Sequence, residues 1–305
     1  MIQIPDHYVV QYDTNWQHLL QQMESRLKEK TKLVSAQGAS VRFNQYGLAT
    51  MSQVTTRNAS TTQSASTLPT RWAYPVPYDI ANVFSEFDNL FLGSVVLPTS
   101  ECMQSQAAAY GRLADKVLID ALTAAATITT PNTATGFVPN GAPTTVALPA
   151  GQTVAVNYVP AGGTPANSGL TIGKIREAKR ILDANEAPAE DRVLIVSAKE
   201  ISDLLGTTEV TNNLYNSVRA LVDGDVDAFL GFKIVRSEQL GVPSGIRTCV
   251  AYHKNAAVLV DGGKKSYMDI LPTQSHSLQI RSTAVLGATR LLETGVVSIL
   301  ADTTK

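Results

Sequence analysis

No stretch of this 305-residue chain approaches about 18 uninterrupted apolar residues, and the opening MIQIPDHYVVQYDTNW has no basic start followed by an apolar run. A membrane-spanning helix and a secretory signal are therefore not expected, and the lone sequon Asn58-Ala59-Ser60 reads as chance. Cysteine is scarce. Cys102 and Cys249 stand far apart and belong to no CxxC pair, so a disulfide framework is excluded and two reduced, buried thiols are expected. A charge excess is lacking as well: Lys+Arg 25 against Asp+Glu 26 leaves a net charge of -1, without the basic field that tight nucleic-acid binding needs. Charged residues make up only 17%, and Thr, Ser, Asn, Gln and Ala fill the difference, a composition expected where much of the surface meets other protein.

Catalytic and metal motifs are also missing. His7, His18, His253 and His276 have no HxxxH or HExxH spacing, and no cysteine stands near enough to complete a zinc set. Asp223, Asp225 and Asp227 open like a calcium loop, but Ala228 takes the place of its glycine and Ile234 that of its glutamate. Gly262-Gly263-Lys264-Lys265-Ser266 fails as a phosphate loop, because Val258 stands where the first glycine belongs and Lys265 where Ser or Thr must follow the lysine; turn glycines are the expectation. Gly241-Val242-Pro243-Ser244-Gly245 puts its serine one place too late for a nucleophile elbow. Neither an enzyme, a cofactor, a metal nor a small-molecule substrate is expected.

What is present is a long helix. Pro98 precedes the capping candidates Thr99 and Ser100, Glu101 favours the first turn, and Met103, Ala107, Tyr110, Ala114, Val117, Leu118, Ala121 and Ala125 recur every three or four residues. The spacing predicts a strut over 98–127, about 40 Å long at 1.5 Å per residue. Upstream, Trp16, Leu19, Leu20, Met23 and Leu27 form a second helical stripe, whose partner is either this chain's own core or another subunit. VRFNQYGLATMSQVTT and TLPTRWAYPVPY flank the polar tract RNASTTQSAS and read as a long hairpin. Trp72, Tyr74, Val76 and Tyr78 alternate on one face of its returning strand, which Pro75 and Pro77 place at an edge. Such a hairpin is marginal alone and needs something to lie on.

Further along, Phe84, Phe87, Leu90 and Phe91 predict a short helix over 81–92, and 144–148 with 153–159 a second hairpin. An α/β region follows the boundary PAGGTPANSG at 160–169, with helices from Ile172 to about Asn185, after the capping box Ser197-Ala198-Lys199-Glu200, and over 214–222. Strands are expected at 193–196, 229–235, 248–252 and 267–271, and the apolar tail ending in GVVSIL is expected to return beside the strut.

In that order of arm, hairpin, strut, α/β insertion and returning strand, the chain resembles the major capsid proteins of tailed double-stranded DNA bacteriophages, the Hong Kong 97 fold family. Thr70-Arg71-Trp72 with Pro75 and Tyr78-Asp79-Ile80, then GDVDAFLGFKIVRSEQL (224–240) and GATRLLETGVVSI (287–299), carry the resemblance. It implies an α+β fold with an N-terminal arm over 1–38, an extended loop over 39–80, a peripheral domain over 81–164 and 271–305 around the spine helix, and an axial α/β domain over 165–270. The implied partners are sister copies in hexamers and pentamers of a closed shell, a portal, and packaged DNA touched weakly. Candidate contacts are Trp16, Leu20, Met23, Leu27, Arg57, Arg71, Trp72, Tyr74 and Tyr78. The loop holds Arg42, Arg57 and Arg71 but no lysine, so the covalent crosslink of some family members should be absent. The short arm leaves no room for a cleaved scaffolding segment, so a separate scaffolding protein is expected. Rival readings are an encapsulin-like compartment shell, an enzyme with a capped α/β domain, and a tail-tube or adhesin subunit.

Overall fold

The computed structural model describes residues 21–47, 49, 51, 53–57, 60, 68–85, 87, 99–128, 144–160, 163–206 and 228–305. Trp16 and Leu20, the helix expected over 214–222, the Asp223–Asp227 run, His7 and His18 lie outside them. The chain divides into two compact units, Met1–Ser25, Pro77–Leu113 and Gly263–Val285 against Arg26–Val76, Ala114–Gly262 and Leu286–Lys305. Helix α1 (Thr99–Thr123) contributes to both.

In the first unit the outer part of α1 lies with the ends of three strands, β4 (Val76–Phe84), β12 (Ala257–Leu271) and β13 (Ser277–Arg290), in which β13 pairs between β12 and β4. Gln106, buried on the helix, fixes this layer. Its amide donates to Asn82 Oδ1 and to the Ile280 carbonyl, both at 3.0 Å, and its carbonyl accepts from Ser282 Oγ at 2.6 Å. Ser282 reaches Ser266 Oγ at 2.9 Å, so one satisfied polar chain spans three strands. Gly111 is required where the arm crosses: a Cβ there would stand 2.9 Å from the Ser25 amide nitrogen. Residues 81–84 belong to β4 and are not helical, which corrects the helix expected over 81–92.

The second unit holds the main core. Six strands run in the order β7 (Thr153–Val154), β14 (Val296–Asp302), β11 (Ile246–His253), β8 (Arg192–Val196), β10 (Phe232–Arg236) and β9 (Ala228–Phe229). Every residue of β8 is buried, as a strand covered on both faces must be. Helix α2 (Ile172–Ala184) starts at Thr171, whose hydroxyl accepts from the Lys174 amide, and buries Ile175, Ala178, Ile181 and Leu182 in this core. The Ser197–Glu200 pair caps α3 (Ala198–Gly206), with the Ser197 amide donating to Glu200 Oε2 at 3.2 Å. The tail strand enters this sheet, Ala251 opposite Val297, and Val296, Val297 and Ile299 share one buried core with Leu118 and Leu122 of α1. Segments 144–148 and 153–159 are not paired with each other: β6 (Thr144–Val146) joins β5 (Ala126–Ile128), while β7 joins β14.

Lys174 is the odd residue of this core. It is wholly buried, its ammonium donates to the carbonyls of Ser168, Gly169 and Leu300 at 2.7, 2.9 and 3.0 Å, and burial lowers its pKa to about 8. Cys249 is buried as expected, whereas Cys102 is only half-buried. The Gly262–Ser266 run lies inside β12 instead of a turn, with Gly263 in the left-handed region at φ 86°.

Candidate assembly interface

The extended loop leaves the second unit through β2 (Val41–Asn44) and β3 (Thr70–Ala73), which pair antiparallel from Val41 opposite Ala73 to Asn44 opposite Thr70. β3 continues the sheet to β5 and β6, so the root of the loop is built into the body. Two buried arginines hold that root. Arg71 Nη2 bridges both carboxylate oxygens of Glu293 at 2.9 and 2.8 Å. Arg290 donates to the carbonyls of Leu122 and Ala124 at 2.9 Å and of Val146 at 3.0 Å, satisfying the end of α1 and the edge of β6 together. This is why the helix stops at Thr123 and the next residues turn into β5, four residues short of the predicted strut. Gln45 Nε2 adds a hydrogen bond to the Leu291 carbonyl at 2.6 Å.

The expected contact residues fare unequally. Leu27 is fully buried in this chain's own core, so it has no surface for a sister copy, and residues 21–27 are not helical. The amides of Arg26 and Leu27 donate to the Asp115 carboxylate at 3.0 and 3.1 Å, which takes from them the hydrogen bonds a helix would use. Arg71 is buried in its ion pair, and Trp72 is half-buried within the sheet under the guanidinium of Arg42, 5.9 Å from the ring centre. Met23, Arg57 and Tyr74 are exposed; Tyr78 is half-buried and, with Ile80, Gln106, Tyr110 and Leu113, lines a groove of about 300 Å³ in the first unit. The continuous apolar face expected from Trp72 to Tyr78 is interrupted, because β3 ends at Ala73 and β4 begins at Val76.

Other side chains carry the exposed apolar area. Tyr46, Met51, Val54 and Leu68 project from the loop, with Tyr46 75%, Val54 76% and Leu68 67% exposed and Met51 wholly so. Ile80 and Val83 of β4 and Tyr267, Met268 and Ile270 of β12 are exposed in the first unit. Scattered among polar residues, the loop group has no regular period to betray it. Exposed apolar side chains grouped in this way mark an interaction surface. Among the described residues no group of three or more His, Cys, Asp or Glu could hold a metal, and no helix is long and apolar enough to cross a membrane.

Among curated proteins none matches the chain in sequence. Solved structures match it over nearly its full length. The capsid of cyanophage P-SCSP1u aligns with a TM-score of 0.72 at 14% identity, covering 97% of this chain and 93% of that one. A structure from Mycobacterium phage Che8 gives 0.65 at 16%, covering 96% and 97%, and the acid-stable capsid of Helicobacter pylori bacteriophage KHP30 gives 0.70 at 10%, covering 99% of both. These likenesses show the Hong Kong 97-type fold, and neither the encapsulin-like nor the enzyme reading is favoured. A family profile described as phage capsid protein matches residues 4–303, so the chain belongs to the phage capsid proteins and is a tailed-phage major capsid protein that forms the shell.

Proposed function

We propose that copies of this chain close into an icosahedral shell of hexamers and pentamers around packaged double-stranded DNA, with the extended loop of each lying across a neighbour. The observation that carries this reading is the loop itself: a root locked by buried arginines and an outer part whose Tyr46, Met51, Val54 and Leu68 meet solvent. A free subunit does not keep so much apolar surface bare without use. Many modest contacts repeated by symmetry then supply the cohesion. The six-stranded sheet, including β14, is the axial body around the ring centre; α1 with the ends of β4, β12 and β13 is the peripheral one. A separate scaffolding protein and a portal complete assembly in the host cytoplasm, and the net charge of -1 leaves the DNA loosely held.

Sedimentation and negative-stain images of the purified protein test this. Closed shells are expected, and the double variant Met51→Ser with Val54→Ser should keep the subunit's Tm while losing the shells. Subunits that stay monomeric at every concentration and with scaffolding protein present, or a variant that assembles as well as the parent, would overturn it.

A further inference from the structure

The outer half of β12 is a strand with one side that no described strand pairs. β1 (Lys32–Ser35) runs parallel to β12 only from Val258 to Asp261, and β13 occupies the opposite side. From Lys264 to Ile270 no described strand pairs with the remaining edge, and every residue of that stretch is exposed. An edge of seven residues carrying Tyr267, Met268 and Ile270 is a template for another strand.

We infer that this edge is a docking surface for a second copy of the same chain, the two strands pairing antiparallel about a twofold axis at Tyr267. The charge pattern selects the register. With Tyr267 opposite Tyr267, Lys265 of each copy stands opposite Asp269 of the other and Lys264 opposite Ile270. Both cross-strand ion pairs form at once, and paired residues share a face of the joined sheet. Parallel, in-register pairing sets Lys264 against Lys264 and Lys265 against Lys265, and an antiparallel slip that centres the axis on Lys265 sets two lysines face to face, so both are disfavoured. The lysines that keep unrelated strands away from this edge thus admit one partner, itself in one register. An isologous contact of this kind supplies twofold junctions between subunits, and it rests on the shell reading above.

Cysteine crosslinking in assembled particles tests the register. In a Cys102→Ser background, Tyr267→Cys places two thiols across the axis at Cα separations of about 4.5–5.5 Å, within disulfide range. Mild oxidation should convert most subunits to a disulfide-linked dimer, Ile270→Cys alone should give none, and Lys264→Cys with Ile270→Cys should restore it. Independently, Lys265→Asp should abolish or strongly reduce assembly, and adding Asp269→Lys should return it. Shells that form normally while Tyr267→Cys fails to link, or an assembly defect that Asp269→Lys does not repair in subunits of unchanged Tm, overturn the pairing and leave the shell function standing. Parent protein that forms no shells counts against the function itself, and linked dimers of Tyr267→Cys in solution would then still uphold the edge contact.

Discussion

Arg71 and Glu293, distant in sequence, meet where the extended loop leaves the body, one guanidinium nitrogen lying between both carboxylate oxygens. Arg290 Nε stands 3.9 Å from the same carboxylate, so a single acid faces two buried cations. Glu293→Gln leaves both without a countercharge and should destabilise the subunit by about 3–5 kcal/mol in denaturant melts. A change under about 1 kcal/mol would show that the pair is not what holds the loop root.

Gly287 stands where β13 passes the turn between β3 and β4. A Cβ there would meet Pro75 Cα at 2.9 Å and the Tyr74 carbonyl oxygen at 3.1 Å, backbone atoms that cannot step aside. Gly287→Ala should cost about 1–3 kcal/mol. Gly241→Ala, with nothing within 4 Å of the new methyl, should stay within about 0.5 kcal/mol. Equal melting of the two variants would count against the packing argument.

Asp115 holds the arm through the amides of Arg26 and Leu27. Asp115→Ala orphans both donors and should lower stability by about 2 kcal/mol or more. Limited trypsin digestion should then cut at Arg26 or Lys28 much faster than in the parent, with the intermediate rate for Asp115→Asn. Unchanged cleavage would mean that the arm is anchored elsewhere.

Lys174 carries a pH signature. Folded, it loses its proton near pH 8; unfolded, it keeps it to about 10.5, so between those values the unfolded chain holds the extra proton and rising pH favours the fold. The penalty is fully present below pH 8. Buried Cys249 and Tyr252, both pushed up, act in the opposite sense above their ordinary values. The comparison must therefore be with Lys174→Met: parent stability relative to the variant should climb from pH 8 to 10.5, and parallel curves would refute it.

The two thiols should differ in access. Cys102 is half-buried and Cys249 fully buried. A maleimide added to folded subunits should label at most one site, Cys102, with the second appearing only on denaturation. Equal labelling of both would contradict the packing of β11.

The long helix was legible because Met103, Tyr110, Val117 and Leu118 repeat at its own period, and the capping box at Ser197 because it is a local exchange of hydrogen bonds. What escaped was pairing at a distance. Alternation marked 144–148 and 153–159 as extended, but nothing in either segment names β5 or β14 as its neighbour. The arm stripe had helical spacing up to Leu27, yet Asp115, far along the chain, captures the amides that a helix needs. Phe84 and Phe87 are three apart, as in a helix, although Phe84 closes a strand. For the candidate surface, Met23 and Tyr74 were legible as exposed apolar residues, while Leu27, Arg71 and Trp72 looked equally available until the body covered them.

β14 lies inside the six-stranded sheet, and Ser298 bonds Thr153 from 145 residues away. Ribosomes therefore release β8, β10 and β11 well before the strand that closes their sheet exists, and until then β11 offers a raw flank that invites misassociation. Chains broken off upstream of Val296 can never seal it. Closure of the body is thus decided within each molecule, ahead of any lattice, because a chain can bring a sealed sheet to one only once β14 is in place.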